Sequence, residues 1–325
     1  MSVLSDYVEA AQEQDTLGSI VMYTVRGGVP QNLIEQQFLL CGLDSKFLPK
    51  KIQPSDAWKK ATKIVDDVTY TYDASKQQSW PSSGTVTATR ARLMVRNVTS
   101  DNIEIERHVV REIVDAKDRT LSHDVVLKLI YRFADHSMYV QPQYDPILTP
   151  QYEIDQLQAV EQDIRTAYEH HKEHLDGNAL RYIIRNYIKS LHAVPVRDGV
   201  YFVADSQADE LSALQKFTRA IGSRIYTVPL LDNDDEHREM VREAFITQSE
   251  QDMYSLIKQV KDTEEKYAGK RIPKRAYEKL VEAFAATNQT KTEIEQQFGE
   301  SMENASDAFG LAMTALNNLA LKLEG

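Results

Sequence analysis

Cysteine is almost absent from this 325-residue sequence, in which Cys41 is the only one. A single cysteine excludes an intrachain disulfide and a cysteine-ligated metal cluster, and its apolar neighbours favour a small buried side chain over a catalytic thiolate. No apolar run approaches the roughly 20 residues needed to span a bilayer. The first residues also lack the basic start and apolar stretch of a secretory signal. We therefore expect a cytoplasmic protein that does not enter a membrane.

Glycine-rich nucleotide-binding motifs are missing as well. The Gly27-Gly28 pair is too short to cradle a phosphate, and neither a G-x-x-x-x-G-K-[ST] loop nor a G-x-S-x-G nucleophile elbow occurs. Hydrolysis of nucleotides by a P-loop is therefore not expected. Nothing in the sequence implies a cofactor, and we predict none.

Positive charge is scarce relative to negative charge, and the imbalance is uneven. The net charge is −11. Residues 1–150 hold 17 Lys+Arg and 19 Asp+Glu, which gives −2, while residues 151–325 hold 21 and 30, which gives −9. Because an acidic surface repels nucleic acid, any site for it would have to be a local patch in the first half.

Prolines and residue periodicity divide the chain into two regions. Three prolines between Gln141 and Pro150 interrupt helices and strands, so we place a boundary there. It separates an α+β domain at 1–145 from a mainly helical, acidic region at 146–325. The first region contains three strand patterns with short polar connections, which predict an antiparallel meander. These patterns cover Thr85–Val98, Ile103–Val114 and Asp124–Val140. The expected fold class is α+β.

The second region contains a small β module at residues 194–231. Apolar residues recur at helical spacing over 180–191, and an Arg197-Asp198-Gly199 turn then joins two short strands. A second helical pattern ends at Gly222 and is followed by an apolar strand. This order predicts a helix–hairpin–helix–strand unit.

The helix before the hairpin allows a second interpretation, as the reading helix of a winged helix. Arg181, Arg185 and Lys189 lie four residues apart on one face of it, which favours contact with nucleic acid. A solvated face opposite the apolar stripe explains the same spacing, and we prefer that interpretation.

Three segments of the chain resemble an uncharacterised family of prokaryotic phage and mobile-element proteins. They are Leu17-Gly18-Ser19, the Ala57-Trp58-Lys59-Lys60-Ala61-Thr62 helix and the Arg197–Val203 turn and strand. None of them carries a catalytic signature. The resemblance implies a phage or mobile-element context for the protein and no established activity.

Carboxylates that follow two strands of the β module are candidate metal ligands. Asp205 follows the first of these strands, and Asp232 and Asp234 follow the second. If the two strands are parallel and adjacent, the carboxylates converge at one edge, where Mg²⁺ could support phosphoester chemistry. Each aspartate is also suited to cap the helix that follows it, and we favour this structural role.

A second metal pattern, H-x-x-E-H, occurs at His170, Glu173 and His174. Two histidines four residues apart on a helix, with an adjacent glutamate, form the inverzincin order of a zinc peptidase. The same residues form the charged end of a helix that stops near Gly177, where histidines stabilise the helix dipole. We favour the helix-end interpretation.

Basic residues in the first region are the candidate nucleic-acid interface. Arginines alternate along one predicted strand, so their side chains share a face of the sheet. Such a face beside a basic helix can follow a phosphate backbone, although Glu104, Glu106 and Glu112 are placed to pair with the arginines across the ladder. The candidate residues are Lys50, Lys51, Lys59, Lys60, Lys63, Arg90, Arg92 and Arg96.

The last predicted helix, over Glu293–Leu323, is the clearest packing signal. Thr292 and Glu295 stand at capping-box spacing for its start. Apolar residues recur every seven positions along it, which is typical of a seam that packs on another helix, either of the same chain or of another subunit. The seam residues are Met302, Phe309, Leu316, Leu319 and Leu323.

Together these patterns favour a non-enzymatic interaction or assembly protein whose partner is another copy or another protein. Nucleic-acid binding through the first region is the alternative. A metal-dependent phosphoester enzyme is the third interpretation.

Overall fold

The computed structural model describes residues 16–72, 88–268, 270–299, 301 and 303–322. Its helices are α1 Gln31–Leu40, α2 Pro54–Ala61, α3 Gln151–Glu173, α4 Gly177–Ser190, α5 Ala208–Ala220, α6 Asp235–Lys266, α7 Lys274–Phe298 and α8 Glu303–Leu321. Its longer strands are β1 Thr16–Thr24, β2 Thr69–Thr71, β3 Ala88–Ser100, β4 Glu104–Asp115, β5 Thr120–Arg132, β6 Ser137–Pro142, β7 Val194–Arg197, β8 Val200–Ala204 and β9 Arg224–Leu231. Because the sheets are antiparallel and the second half is mainly helical, the expected α+β class is confirmed.

The chain forms two compact units whose limits differ from the predicted boundary at 145/146. The first unit contains Met1–Val29, Leu33–Pro49 and Asp176–Gly325, and the second contains Pro30–Asn32 and Lys50–Leu175. Three elements account for the difference: β1 pairs with strands of the first unit, Phe38 of α1 packs on Phe217 of the same unit, and α3 packs on the sheet of the second. The second unit is therefore an insertion in the chain of the first.

The first unit is built on a four-stranded sheet with the order β9-β1-β8-β7. Every neighbouring pair is antiparallel. In chain order the elements β1, α4, β7, β8, α5 and β9 give the β-α-β-β-α-β succession of the ferredoxin-like arrangement, with α1 and the second unit inserted between β1 and α4. The predicted helix–hairpin–helix–strand module supplies all of these elements except β1.

Alternate residues of this sheet bury both of its faces. Phe202 and Leu230 join an apolar core with α6, α7 and α8. On the opposite face, the Thr227 hydroxyl accepts a hydrogen bond from the Gln215 amide of α5, and Phe38 of α1 packs against Phe217 of the same helix. Helices therefore pack on both faces of the sheet, and β7 and β9 form its two edges.

The structure shows why glycine stands at the centre of the Leu17-Gly18-Ser19 segment. Its φ is +154°, and a Cβ atom there would lie 2.3 Å from the Val203 carbonyl oxygen and 2.8 Å from the Phe202 ring. The position therefore admits only glycine if β1 is to lie this close to β8.

The second unit is a five-stranded antiparallel meander in the order β2-β3-β4-β5-β6. One face is covered by α2 and α3, and the core between them contains Trp58, Leu93, Tyr131 and Leu157. The strand patterns predicted an antiparallel meander of three strands, but the predicted third strand, Asp124–Val140, is divided by a turn at 133–136 into β5 and β6. The docking of α3 on the sheet was not predicted.

The predicted start of the last helix is wrong. α7 continues through Thr292, whose hydroxyl donates to the Asn288 carbonyl within the helix, and ends at Gly299 with a φ of +68°. Glycine reaches this left-handed conformation without the steric cost that other residues meet, so the helix break lies there and not at the capping-box pattern.

Candidate functional site

The structure separates the two parts of the predicted basic patch. α2 packs through Trp58 on the face of the second-unit sheet that carries Leu93. Arg90, Arg92 and Arg96 alternate with the inward residues of β3 and so project from the opposite face. The basic helix and the arginines therefore do not form the continuous surface that we predicted.

Acidic side chains engage two of these three arginines. The Arg92 Nε donates to Glu112 across the ladder at 2.7 Å, and the Arg90 guanidinium pairs with Asp118. A hydrogen bond from the Thr120 hydroxyl, and then one from Arg92, lowers the pKa of the Glu112 carboxyl. Cross-strand pairing thus neutralises much of the positive charge on this face.

The other predicted phosphate contacts lie on the surface of the second unit. Those that are exposed are Lys50, Lys51, Lys60, Lys63 and Arg96. Lys59 is half-buried and lies 3.6 Å from Asp56. The Arg96 guanidinium contacts the Met94 sulfur at 3.5 Å.

The three candidate metal ligands each make a structural contact. Asp234 accepts hydrogen bonds from two backbone N–H groups in the first turn of α6 and is its N-cap. Asp232 pairs with Arg238 at 2.7 Å, and Asp205 accepts from the Thr16 hydroxyl at 2.9 Å. The condition for convergence is not met, because β1 lies between β8 and β9. Among the described residues, no group of three or more His, Cys, Asp or Glu side chains is arranged to hold a metal ion.

The H-x-x-E-H histidines lie at the end of α3 in the second unit. The rings of His170 and His174 stack with centroids 4.2 Å apart and an interplanar angle of 6°. One ring nitrogen of His174, Nδ1, lies 3.0 Å from the His170 carbonyl oxygen. This contact orients His174 at the C-terminal turn of the helix.

The described part of the C-terminal seam faces the core of the first unit. Phe309, Leu316 and Leu319 are all nearly inaccessible to solvent and pack with α6 and α7. Phe309 also meets Phe284 of α7 edge-on, with ring centroids 6.0 Å apart. Met302 and Leu323 lie outside the described residues.

Sequence reasoning missed a buried charge cluster in the second unit. Arg111 donates to Glu153 at 2.9 Å and to Asp124 at 2.7 Å, and the Glu153 side chain is completely buried. Burial alone would lower the pKa of Arg111, but the hydrogen bonds and charges of its two carboxylate partners outweigh it and raise the pKa. Burial also raises the pKa of the nearby Tyr72 hydroxyl to about 12.

A second inward arginine lies four residues earlier on the same strand. Arg107 donates to the Thr62 hydroxyl at 2.6 Å and to the Lys59 carbonyl at 2.9 Å, and its guanidinium lies 5.4 Å from the centre of the Trp58 ring. The sequence does carry a signal for both arginines. They occupy the same alternate positions of β4 as its buried apolar residues, so they lie on the inward face of the strand. Their partners fix the sheet to α2 and α3.

A groove in the first unit runs along the free edge of its sheet, beside β7. α4 lies on the face that carries Tyr23, and α6 lies on the face that carries Phe202. Two adjoining cavities of about 600 and 740 Å³ occupy this groove. Both are lined by Lys189, Pro195 and Gln248, so they form one elongated site.

One wall of the groove is cationic. Arg185 and Lys189 project from the exposed side of α4, and Arg197 stands at the end of β7. None of these three side chains makes a hydrogen bond or ion pair with any other residue in the part of the chain that the structure describes. Three such cations thus lie close together in a chain whose net charge is −11.

The facing wall is rich in amides and hydroxyls. α6 and α7 contribute Thr247, Gln248, Gln251, Thr287 and Thr290. Carboxylates are also present, at Asp198 in the hairpin turn and at Glu243 and Asp252 on α6.

Asp252 lines the smaller cavity. Limited hydration raises the pKa of its carboxyl, against opposing effects of the Gln248 amide and the Lys189 ammonium group. The Gln248 amide donates to it at 2.8 Å.

His192 fixes one end of the groove. It follows α4 in a left-handed conformation (φ +54°), which is uncommon for a residue with a side chain. Its ring nitrogens lie 3.2 Å from the Thr290 hydroxyl and 3.3 Å from the Glu293 carboxylate, both on α7. These contacts hold α7 beside the end of α4 and so set the width of the site.

The Tyr23 and Tyr201 rings close the other end. They stack at 17° with centroids 6.5 Å apart. Partial burial, and then Tyr201, raises the pKa of the Tyr23 hydroxyl, while Arg185 opposes the shift. Tyr23 and Tyr201 line the same cavity as Arg185, Lys189 and Arg197, so the tyrosines and the cationic wall border one space.

The sequence contained a signal for the cationic wall but not for the groove. Arg181, Arg185 and Lys189 were singled out by their spacing on α4, and the structure turns the first of them toward Asn178. The groove itself depends on where α6 and α7 dock.

These features define an α+β protein with a ferredoxin-like unit, an inserted meander unit and a polar groove at a sheet edge. The chain belongs to a family of unknown function, DUF6744, whose model matches residues 16–325. No curated protein and no solved structure matches it. Of the helices in the described ranges, none has both the length and the apolarity needed to cross a bilayer.

Proposed function

We propose that this protein is a non-enzymatic interaction protein and that its partner binds in the groove along β7. The observation that supports the proposal is the wall formed by Arg185, Lys189 and Arg197, which lacks pairing partners among the described residues. Cations that are not paired with a described residue can attract an anionic partner and speed its encounter, although Asp198, Glu243 and Asp252 line other parts of the groove.

The shape of the site supports a chain-like partner. Cavities for single small ligands usually measure about 300–1,000 Å³. Here two cavities of about 600 and 740 Å³ adjoin along a strand edge, so the site is larger than one compact ligand requires. An elongated polar groove is suited to a segment of another polypeptide, supplied by a second copy or by a different protein. The phage or mobile-element association stays a prediction.

Site-specific photocrosslinking in the cells that make the protein tests this proposal. A photoreactive residue at Gln251, on the groove wall, is expected to give a discrete adduct that the same residue at exposed Lys258, on α6 outside the groove, does not. The mass of the adduct distinguishes a second copy from another protein. Identical patterns at the two positions, or no adduct at either, would contradict the proposal.

Nucleic-acid binding by the second unit is the second candidate function. It is favoured by the exposure of Lys50, Lys51 and Lys63 and by the absence of an ion pair from Arg96 to any described residue. Fluorescence anisotropy with single- and double-stranded oligonucleotides at low salt tests it. Binding should weaken steeply with salt and be lost when the three lysines are changed to glutamate. No binding by the wild-type protein would remove this candidate.

A further inference from the structure

We infer that the segment occupying the groove is an extended peptide with acidic side chains at alternate positions, facing the cationic wall. This inference rests on the proposed function and names the chemistry of the partner. Arg185 and Lys189 are four residues apart on α4, which places them about 6 Å apart along the helix axis. In an extended peptide, alternate side chains project on one side about 6.6 Å apart. An acidic-x-acidic sequence therefore matches the two cations in register.

The facing wall favours a polypeptide over a polyphosphate. The amides of Gln248 and Gln251 and the Thr247 hydroxyl supply donors and acceptors, which a peptide main chain can use in turn. Glu243 and Asp252 would repel a backbone that is negative at every unit. A peptide avoids this repulsion because its acidic side chains all lie on one side.

The tyrosines do not provide a stacking platform for bases. Tyr201 is only 4% exposed, and its ring is stacked on that of Tyr23. Sequence-tolerant binding of single strands depends on open aromatic faces as well as cations. The groove has the cations without such a face.

The strand edge directs recognition to side chains. β7 pairs with β8 on one side only, and it contains Pro195. Proline lacks an N–H, and in a strand it occupies a position where that group would face away from the ladder. The edge therefore lacks a hydrogen-bond donor at its centre, and a peptide strand added there would form an incomplete ladder. Selectivity for the peptide then depends on the charges of the cationic wall.

Peptide binding to the purified full chain, measured by fluorescence anisotropy, tests this inference. The probes are Ser-Glu repeated six times, Glu-Glu-Ser-Ser repeated three times with the same charge, and the neutral Ser-Gln repeat. A twelve-residue oligothymidylate and sodium sulfate are the competing anions. We expect the Ser-Glu repeat to bind most tightly, the Ser-Gln repeat not to bind, and the affinity to fall as salt rises.

Two matched triple variants locate the binding. R185Q/K189Q/R197Q is expected to weaken binding of the Ser-Glu repeat about tenfold or more, because it removes three charges from the site. K258Q/K261Q/K279Q removes the same charge from exposed positions on α6 and α7 and should leave the affinity unchanged. Equal circular dichroism and melting temperatures confirm that both variants are folded.

Four results would overturn the inference. They are equal binding of the two acidic repeats, equal loss of binding in both triple variants, preference for the oligothymidylate in the groove, and binding of sulfate alone. A failure of all the probes together with a discrete adduct at Gln251 would refute the acidic-peptide inference and leave the proposed function standing. If there is no adduct either, both proposals fail.

Discussion

At the residue scale, the charged side chains of this protein serve different purposes according to what lies beside them. Arg111 is buried and pairs with Asp124 and Glu153, whereas Arg185 lines a groove and has no partner among the described residues. A buried charge must keep its partners because burial removes its hydration. An exposed cation carries no such cost and stays available to a ligand.

The Arg111 cluster gives the first residue-scale prediction. Glu153→Ala should lower the free energy of unfolding of the second unit by about 3 kcal/mol, because it leaves part of a buried guanidinium without its carboxylate. Glu169→Ala, which removes an exposed pair with Lys172 on the same helix, should cost less than about 0.5 kcal/mol. Urea denaturation measures both. Equal changes in the free energy of unfolding for the two variants would show that the burial of Glu153 does not determine how strongly its ion pair stabilises the protein.

Asp234 gives the second residue-scale prediction. Asp234→Ala should destabilise the first unit by about 1 kcal/mol, because two N–H groups of α6 lose their acceptor, while Asp234→Ser should retain most of the stability. Thermal unfolding with and without Mg²⁺ or Mn²⁺ distinguishes capping from metal binding. A melting temperature that rises with metal in the wild type, but not in the alanine variant, would instead favour the metal-dependent alternative.

At the element scale, α8 shows how an apolar stripe becomes part of a core. Phe309 and Leu316 are buried against α6 and α7, while Leu311, on another side of the helix, is 55% exposed. A helix of this length is marginal by itself in water, so its packing maintains it. The stripe thus serves the first unit internally.

Substitutions on α8 test this assignment. Leu316→Ala should lower the free energy of unfolding by about 3 kcal/mol through lost burial and a cavity, and Leu311→Ala should have little effect. Neither variant should change the native mass, which light scattering after size exclusion measures. Loss of an oligomer in Leu316→Ala without loss of stability would show that the stripe joins subunits instead.

At the scale of the whole molecule, buried tyrosines make stability depend on alkaline pH. Burial raises the pKa of Tyr72, Tyr131 and Tyr187 to about 12 in each case, and a hydrogen bond to Glu210 adds to the shift for Tyr187. The ordinary value is 10.0. Between these limits the unfolded chain releases protons that the folded chain retains.

The sign of the effect follows from proton linkage. The contribution of these phenols to stability is complete below about pH 10 and is lost as the pH rises toward about 12. Tyr187→Phe should make the decline less steep, whereas Tyr254→Phe, at an exposed position, should not. Chemical denaturation from pH 9 to pH 12 measures the slopes. Parallel slopes for the wild type and Tyr187→Phe would contradict the prediction.

The local features of the chain follow from its sequence. Strand alternation predicts the meander, helical spacing and the Arg197-Asp198-Gly199 turn predict the module around the hairpin, and the seven-residue repeat marks the inward side of α8. These signals are readable because each depends on neighbours within one element: the period sets which side chains share a face, and turn residues set where the chain reverses.

Partners distant in the sequence were decided only by the tertiary structure. The residue pattern of β1 predicts a strand, but it does not predict that this strand pairs with β8 and β9. The apolar face of α3 predicts burial, but it does not predict packing on the meander. Likewise Arg92 and Arg185 have the same chemistry in the sequence, yet the first meets Glu112 and the second borders the groove. The periodicity of a sequence shows that one face of an element must be buried. Which surface covers that face depends on packing and charge between elements that are distant in the sequence.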